Sequence, residues 1–368
     1  MERKILLNPG PVTTTDTVKN ALIVPDICHR ENEFGELLFY LGNSLRDIIH
    51  ADESYTTIFL GSSGTGAVEA TISSAIPFGQ KLLVIQNGHY GERISSIAST
   101  YHIQTVNVSH AFNEQPPLAV LEETLRADDD ISAVAMVHHE TSSGILNSLD
   151  LVSDLVKKFN KIFIVDAISS FGGIPIDLRS NPIDYLIATS NKCLQALPGV
   201  AFVIAREKVI INSKENARSF YFDLYKQYLS LKTERMFRFT PPVQILYALS
   251  QAIKEYNQEG GEERYLRYQT NYDILMNGLD YLAFENLVPK AYQGKLLALV
   301  RPRSNEQNLN FEGLHDFLYE AGFTIYPTKI SITNAFRLAC IGDIHAKDIH
   351  AFLACLEMAL PVFLQDVI

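Results

Sequence analysis

The sequence predicts an α/β fold with a large domain built on a mainly parallel sheet covered by helices, followed by a smaller α+β domain. Three observations lead to this prediction. The chain has 368 residues, more than one hydrophobic core usually serves. Short apolar runs alternate with longer amphipathic ones up to about Val243, and helices then dominate before strands return. With 47% hydrophobic residues, the chain can bury a large core.

In the predicted large domain the strands are short and continuously apolar, which is typical of strands buried on both faces. Helix-like segments such as Pro117–Ala127 and Leu149–Phe159 lie between them, and this alternation predicts crossover connections and parallel pairing. The predicted strands are Tyr55–Leu60, Lys81–Gln86, Gln104–Val108, Ile131–Val137, Lys161–Val165, Tyr185–Ala188 and Val200–Ala205.

The C-terminal part of the chain has a different pattern. Helices are predicted at Val243–Tyr256 and Glu262–Leu282, separated by Gly260 and Gly261, and strands near Leu296–Val300 and Ala335–Cys340. The polar segment Ser304–Asn310 is predicted to be a surface loop. We therefore divide the chain into a large domain, residues 1–250, and a small α+β domain, residues 251–368. The N-terminal segment, residues 1–15, is expected to pack near the small domain.

The charge balance and the apolar pattern exclude several classes of protein. The formal net charge is -11 and the basic residues are scattered, whereas nucleic-acid binding needs clustered positive charge. No apolar run approaches the roughly 20 residues of a membrane span, and Asn8–Pro11 interrupts the N-terminus too early for a signal peptide. The four cysteines lie far apart, which favours reduced, packing roles over a disulfide frame or a zinc site. We expect a soluble, cytoplasmic protein that binds neither nucleic acid nor membranes.

Two charged residues stand where predicted strands end. Asp166 follows the strand Lys161–Val165, and Lys192, 26 positions later, lies just after Tyr185–Ala188. A pyridoxal phosphate enzyme needs such a pair, because a lysine amine bonds to the cofactor aldehyde and a carboxylate keeps the pyridine nitrogen protonated. Taken singly, each residue has a structural interpretation as well, since such a lysine is usually solvated and such an aspartate often caps a helix.

A glycine-rich turn, Gly61–Gly66, connects the strand that ends at Leu60 to a helical pattern that begins at Ala67. The unpaired amides of a first helical turn bind anions, and the hydroxyls of Ser63 and Thr65 would add to such a site. The turn lacks the lysine of a nucleotide-binding loop, and its spacing is not that of the dinucleotide fingerprint. The motif by itself fits a phosphate site and a plain tight turn equally well.

Polar residues follow two further predicted strands, at the edge where open α/β sheets bind ligands. His138–Gly144 follows one strand, and Asn87–Gly91 follows another. The adjacent histidines, His138 and His139, are poor metal ligands because neighbours in an extended segment point to opposite sides. Tyr90 offers a ring that either stacks on a flat cofactor or simply packs in the loop. No metal site is predicted.

In order and spacing, these segments resemble the class V, fold type I aminotransferases. The resemblance runs from the N-terminus into the last domain and rests on Leu7–Val12, Gly64–Ala70, His139–Gly144, Val165–Ser170 and Ser190–Lys192. A second set resembles in particular the branch of that family that acts on 2-aminoethylphosphonate and pyruvate, and consists of Ser169–Asp177, Asn191–Gly199 and Arg337 in Phe336–Leu338.

The resemblance implies a role for each matching residue. Lys192 would hold the cofactor, pyridoxal 5'-phosphate, and move protons, while Asp166 would pair with the pyridinium nitrogen. Tyr90 would stack on the cofactor ring, and Thr141 would lie near its phenolic oxygen. Arg337 would bind an acid group of the substrate, because a planar guanidinium matches a carboxylate or a phosphonate. The other implied cofactor-binding residues are Ser63, Gly64, Thr65, Ile168, Ser190 and Thr240.

The resemblance also implies the activity and the partners. A small amine, 2-aminoethylphosphonate, and a 2-oxo acid, pyruvate, would be converted to phosphonoacetaldehyde and L-alanine. Thr240 would come from a neighbouring subunit, which implies a homodimer with shared active sites. An alanine- or serine-linked glyoxylate aminotransferase is the alternative within the family, and a non-catalytic binding or regulatory protein is the alternative outside it. The segment Cys28–Glu31 offers either a second cation for a phosphonate or a structural salt bridge of Arg30.

Overall fold

The protein, seen in a computed structural model that describes residues 3–304 and 307–366, contains two main groups of strands. The strands in the described part of the chain are β1 (Ile5–Leu6), β2 (Tyr55–Leu60), β3 (Lys81–Gln86), β4 (Gln104–Ser109), β5 (Ile131–Val137), β6 (His139–Glu140), β7 (Ile145–Leu146), β8 (Ile162–Asp166), β9 (Tyr185–Thr189), β10 (Ala201–Arg206), β11 (Phe284–Asn286), β12 (Leu297–Pro302), β13 (Gln307–Leu309), β14 (Phe323–Thr324), β15 (Tyr326–Pro327), β16 (Phe336–Ala339) and β17 (Leu364–Asp366).

The helices account for most of the chain between these strands. In the same described ranges they are α1 (Asp16–Asn20), α2 (Asn32–Asp47), α3 (Gly64–Ala75), α4 (His89–Thr100), α5 (Leu118–Ala127), α6 (Leu149–Lys158), α7 (Glu207–Asn212), α8 (Leu224–Glu234), α9 (Val243–Glu259), α10 (Gly261–Tyr281), α11 (Phe311–Glu320) and α12 (Ala346–Phe363). None of these helices is both long enough and apolar enough to cross a bilayer.

The large sheet has the strand order β2-β10-β9-β8-β5-β3-β4. Neighbouring strands pair in parallel from β9 to β4, whereas β10 runs antiparallel to both β2 and β9. The α/β class and the mainly parallel sheet are therefore confirmed. The ends of all seven predicted strands agree with the observed ends within one residue, because continuous apolar runs bounded by turns identify buried strands well.

Successive residues of the strands contribute to different hydrophobic cores on the two faces of this sheet. Phe59 and Phe202 pack in the core that contains α2, α5, α6 and α9. Ile58 and Val203 pack in the core that contains α3 and α4. Complete burial of side chains of this size contributes about 1.5–3 kcal/mol each, so both layers of helices are needed to hold the sheet.

The small sheet has the antiparallel order β11-β12-β16-β15 and packs with α10, α11 and α12. The N-terminal segment joins this part of the molecule, since β1 pairs in parallel with β14 and the Ala339 amide donates to the Leu7 carbonyl at 2.8 Å. Helix α9 runs through the predicted boundary at residues 250 and 251, and its residues up to Tyr256 pack in the large core. The division into two domains stays a prediction.

One predicted loop is wrong in part. Gln307–Leu309, inside the predicted loop Ser304–Asn310, forms strand β13 and pairs with β17. The partner strand lies more than fifty residues further along the chain, so the local polar composition does not reveal it. Residues 305 and 306 of that predicted loop lie outside the described residues. All four cysteines are free thiols, and Cys193 and Cys340 are buried.

Candidate active site

The candidate site lies where five parallel strands end. Strands β2, β3, β5, β8 and β9 run in the same direction, so their carboxyl ends meet at one edge of the large sheet. Each of these strands is followed by one of the polar segments singled out in the sequence. Open α/β sheets bind their ligands at this edge because the loops there converge from different strands.

A cavity of about 450 Å³ opens at this edge. It collects eight of the eleven predicted site residues from segments that are far apart in the sequence. A larger cavity of about 590 Å³, lined by Asp47, His50, Asp177 and Glu262 among others, contains none of them. The smaller cavity is lined by Ser63, Gly64, Thr65, Tyr90, Arg93, Val137, Thr141, Asp166, Ile168, Thr189, Asn191, Lys192, Pro198 and Gly199.

Lys192 is buried in the wall of this cavity, with only 9% of its surface exposed. Its Nζ donates a hydrogen bond to Thr141 Oγ1 at 3.3 Å. Burial lowers the pKa of Lys192 to about 8, and the opposing charge of Asp166 limits that decrease. The N-terminal segment closes against the lysine, because a Cβ added to Gly10 would lie 3.2 Å from Lys192 Cε. A neutral amine, able to act as a nucleophile and a base, is therefore accessible near physiological pH.

Asp166 ends β8 and is 3% exposed. One carboxylate oxygen, Oδ1, accepts a hydrogen bond from the Ile168 amide at 3.0 Å. The other, Oδ2, pairs with Arg93 Nη2 at 3.3 Å. These two partners hold the carboxylate in one orientation at the cavity wall. Arg93 was not among the predicted site residues, although it lies three positions after Tyr90 and hence on the same face of α4.

The glycine-rich turn leads directly into α3, which begins at Gly64. Ser63, Gly64 and Thr65 line the cavity, so the unpaired amides of the first helical turn lie beside it. A Cβ at Gly64 would lie 2.7 Å from Ile168 Cδ1, so a larger residue there would require the Ile168 side chain to shift. Thr65 Oγ1 accepts a hydrogen bond from Arg93 Nη1 at 2.9 Å, so Arg93 connects the helix start to Asp166.

Tyr90 lies between several cations. The guanidinium carbon of Arg93 is 4.5 Å from the centre of the tyrosine ring, and Lys192 Nζ is 5.8 Å from it. Behind the ring, the Glu140 carboxylate accepts hydrogen bonds from the backbone amides of Tyr90 and Gly91. Burial raises the pKa of Glu140, and these hydrogen bonds oppose that increase. Glu140 therefore fixes the start of α4, and with it the position of the ring.

Arg337 lies in β16 and is 2% exposed. Its Nη1 donates to the Thr141 carbonyl at 3.2 Å, and its Nε donates to the Pro327 carbonyl at 3.0 Å. Thr141 thus contacts Arg337 through its carbonyl and Lys192 through its hydroxyl. Arg337 does not line the cavity itself, but Thr141 places it next to the wall that carries the lysine.

Two predicted cofactor-binding residues lie outside the cavity. The Ser190 hydroxyl donates to the carbonyls of Leu197 and Val200, behind the loop that carries Lys192. Thr240 is exposed and follows the half-buried Phe239, whose ring packs with the exposed rings of Phe220 and Tyr221. The chain's own cavity therefore includes neither side chain, and the roles of both stay predictions.

The histidines after β5 have structural partners. His138 Nδ1 lies 2.9 Å from Ser170 Oγ, and His139 Nδ1 lies 2.9 Å from Ser169 Oγ. Burial lowers the pKa of both histidines to about 3, so they are neutral at physiological pH. Among residues 3–304 and 307–366, no group of three or more His, Cys, Asp or Glu side chains is arranged to hold a metal ion.

The segment around Arg30 contributes no residue to the lining of the cavity. Arg30 is exposed and, within the described part of the chain, forms no ion pair with Glu31 or Glu33. It does not line the cavity either. Neither of the two interpretations offered for Cys28–Glu31 gains support from these contacts, and the role of His29 and Arg30 stays open.

The residues around the cavity fit pyridoxal phosphate. A helix N-terminus with adjacent hydroxyls suits the phosphate group. A buried lysine with a lowered pKa suits the aldehyde, and a buried carboxylate suits a protonated ring nitrogen. Gly64 has no side chain, so the space at the start of α3 between Gly64 and Ile168 stays free of a Cβ atom.

Comparisons with known proteins agree with this arrangement. The family model of the class V aminotransferases matches residues 17–299. The chain is similar to a 2-aminoethylphosphonate–pyruvate transaminase of Bacillus cytotoxicus, with 40% identity over 357 residues that cover 96% of this chain and 97% of that protein. A protein of the same description from Bacillus cereus is 40% identical over 351 residues, covering 94% of this chain and 95% of that protein.

Solved structures show the same fold. An alanine–glyoxylate aminotransferase from Nostoc sp. superposes with a TM-score of 0.91 at 24% identity, covering 98% of this chain and 96% of that one. A pyridoxamine–pyruvate aminotransferase from Mesorhizobium loti superposes with a TM-score of 0.89 at 21% identity, covering 98% of this chain and 93% of that one. At these identities the likeness concerns the fold alone.

Proposed function

Because the chain belongs to the class V aminotransferase family, we propose that it transfers the amino group of 2-aminoethylphosphonate to pyruvate, giving phosphonoacetaldehyde and L-alanine. The observation that carries the chemistry is the buried Lys192 amine, whose pKa falls to about 8 beside the Asp166 carboxylate. The substrates follow from relatives that are 40% identical over nearly the whole of both chains and carry this activity in their descriptions.

Pyridoxal phosphate, when bound, supplies an aldehyde that takes up an amino group and a ring that accepts electrons. We propose that Lys192 holds its aldehyde and that Asp166 faces its ring nitrogen. Ser63, Gly64 and Thr65 would bind the phosphate with the amides of the first turn of α3. Five further residues are proposed to contact the cofactor: Tyr90, Thr141, Ile168, Ser190 and Thr240.

Lys192 is the group that moves the proton. In its neutral form the Nζ atom would remove a proton from the substrate carbon that bears nitrogen, and in its protonated form it would return that proton to the cofactor carbon bonded to the other side of that nitrogen. Thr141 holds the Nζ atom through a hydrogen bond of 3.3 Å. Asp166 supports the loss of the proton, because its negative charge in a buried site favours a positive charge on the facing ring.

Arg337 binds the acid group of each substrate in turn. Its guanidinium is held by the Pro327 and Thr141 carbonyls, so its direction is set before a substrate arrives. A planar fork of donors matches two oxygens of a carboxylate or a phosphonate. One residue can therefore serve both half reactions, the phosphonate donor in the first and pyruvate in the second.

We further propose that the enzyme is a homodimer with shared active sites. Thr240 is exposed and does not line the cavity of its own chain. The adjoining patch of Phe220, Tyr221 and Phe239 exposes aromatic surface that a second copy would cover. The cytoplasmic location expected from the sequence also stays a prediction.

The test is a product assay with purified holoenzyme. With 2-aminoethylphosphonate and pyruvate, the expected products are phosphonoacetaldehyde and L-alanine in equal amounts, detected by mass spectrometry. Parallel reactions use L-serine or L-alanine as donor and glyoxylate as acceptor. Turnover in those reactions, with none from the phosphonate, would assign the enzyme to the glyoxylate-linked branch and overturn the proposal.

A further inference from the structure

A short hairpin brings a second cation close to Arg337. Strand β15 pairs with β16 so that Tyr326 lies opposite Arg337, and the Pro327 carbonyl accepts a hydrogen bond from Arg337 Nε at 3.0 Å. Lys329 follows Pro327 by two residues in the same connection. The position of Lys329 is therefore coupled to that of Arg337 through one backbone segment.

The backbone around Lys329 is fixed locally. Thr328 Oγ1 accepts a hydrogen bond from the Ile330 amide at 2.9 Å and donates one to the Ile330 carbonyl at 3.2 Å. The Lys329 side chain extends towards Tyr90, and its Nζ lies 5.5 Å from the centre of the tyrosine ring. Lys192 Nζ lies 5.8 Å from the same centre, so the cation and the reactive amine approach one ring.

The charges near this ring are not balanced. Asp166 is paired with Arg93, and Glu140 accepts hydrogen bonds from backbone amides. Within the described residues, neither Arg337 nor Lys329 has a carboxylate within 4 Å. Burial, followed by the charges of Arg337 and Arg93, lowers the pKa of Lys329, and the charge of Glu140 opposes that decrease. Glu140 is near enough to act on both cations but forms an ion pair with neither. Two neighbouring cations without a directly paired anion repel each other, and an anion bound between them would offset that repulsion.

We propose that Lys329 is a specificity-determining residue that binds the phosphonate group of the amino donor together with Arg337. This inference rests on the proposed function. A phosphonate resembles a phosphate monoester, with three acceptor oxygens and a charge approaching -2 near neutral pH. The two-pronged guanidinium of Arg337 would bind two of the phosphonate oxygens. The ammonium group of Lys329 would bind the third oxygen and balance the second negative charge.

The carboxylate of pyruvate or of L-alanine needs fewer binding partners than a phosphonate does. A carboxylate has two oxygens and one charge, and Arg337 alone satisfies it. Lys329 therefore adds affinity for the phosphonate donor and little for the carboxylate partner. Because Lys329 is exposed, its flexible side chain can move aside when the carboxylate is bound.

The test compares two half reactions of the holoenzyme, one with 2-aminoethylphosphonate and one with L-alanine, followed by the change in cofactor absorbance. In Lys329→Gln, the apparent dissociation constant for the phosphonate should rise roughly tenfold or more, a loss of about 1.4 kcal/mol. The constant for L-alanine should change by less than about twofold. Lys329→Arg should keep most of the phosphonate affinity, and Lys347→Gln, which removes an exposed lysine elsewhere, should change neither constant.

Binding of methylphosphonate, measured by calorimetry, gives a second readout that needs no turnover. It should weaken in Lys329→Gln and persist in Lys329→Arg. Equal loss for both donors, or unchanged methylphosphonate binding, would overturn the role of Lys329 and leave the proposed function standing. If the native enzyme reacts with L-alanine but not with 2-aminoethylphosphonate, the proposed function fails, and the inference fails with it.

Discussion

Arg93 and Asp166 form an ion pair of 3.3 Å at the wall of the cavity, with the carboxylate almost completely buried. The same arginine donates to Thr65 at the start of α3 and lies against the ring of Tyr90. It therefore connects the residues proposed for the cofactor's ring nitrogen, its phosphate and its ring face. The ion pair with Arg93 also holds the Asp166 carboxylate in one orientation at the cavity wall.

The charge of Asp166 is expected to be essential for turnover but not for folding. Asp166→Asn keeps the shape of the side chain and removes its charge, so the cofactor should remain bound. The single-turnover rate with an amine donor should fall roughly 100-fold or more, the size of effect typical of a lost electrostatic contact at a reacting centre. Asp177→Asn, which changes an ion-paired aspartate outside this cavity, is the matched control. An unchanged rate in Asp166→Asn would contradict the role given to the carboxylate.

The lowered pKa of Lys192 predicts a pH dependence. Only the neutral amine bonds to an aldehyde, so with a pKa of about 8 the rate of covalent cofactor capture by the apoenzyme should rise about tenfold per pH unit below 8. Above pH 8 the rate should level off, whereas for an ordinary lysine it would continue to rise beyond pH 10. Lys192→Ala should show neither covalent capture nor turnover while staying folded, and Lys254→Ala, at an exposed lysine, should behave like the native protein. A rate that still rises beyond pH 10 would contradict the burial argument.

Arg337 is expected to control the affinity for acid substrates. Arg337→Lys keeps a positive charge but loses the planar fork and the two hydrogen bonds that orient it. The KM for pyruvate should rise roughly tenfold or more, with a smaller effect on kcat. Arg301→Lys, in the neighbouring strand β12, changes an arginine that pairs with Glu285 and should leave the KM unchanged. Equal KM values in the native enzyme and Arg337→Lys would remove Arg337 from the substrate site.

The shared active site can be tested with mixed dimers. Thr240→Asp should repel the cofactor phosphate in the partner's site, and Lys192→Ala should inactivate its own site. Each homodimer should therefore be inactive, whereas the mixed dimer should contain one intact site and show about half of the native activity. Co-expression with two affinity tags isolates the mixed species. Failure of the mixed dimer to regain activity, with its assembly confirmed by chromatography, would refute a contribution of Thr240 to the other subunit.

The fold and the centre of the site could be predicted from sequence because their signals are local. The apolar runs identified the seven strands of the large sheet, and Asp166 and Lys192 each stand just past such a run. Parallel neighbouring strands bring their ends together, as the pairing of β8 with β9 shows. The glycine-rich turn was ambiguous in sequence, and the phosphate role stays a proposal that its position at the start of α3 beside the cavity supports.

Two residues near the cavity, Arg93 and Lys329, were not predicted from the sequence. Arg93 could have been found, since it is three residues beyond Tyr90 and shares its helix face. Lys329 could not, because only the pairing of β15 with β16 and the packing of the small domain bring residue 329 to residue 90. Antiparallel β10 and the strand β13 likewise depend on distant partners. The exposed position of Thr240 also became evident only in the folded chain.

The most direct test of the proposed activity is the first half reaction in isolation. Purified holoenzyme is mixed, without any oxo acid, with 2-aminoethylphosphonate, and separately with L-serine and with L-alanine, while the cofactor spectrum is followed. The proposal predicts rapid and complete conversion of the cofactor to its aminated form by the phosphonate, with one equivalent of phosphonoacetaldehyde released per site. Conversion by serine or alanine but not by the phosphonate would contradict it.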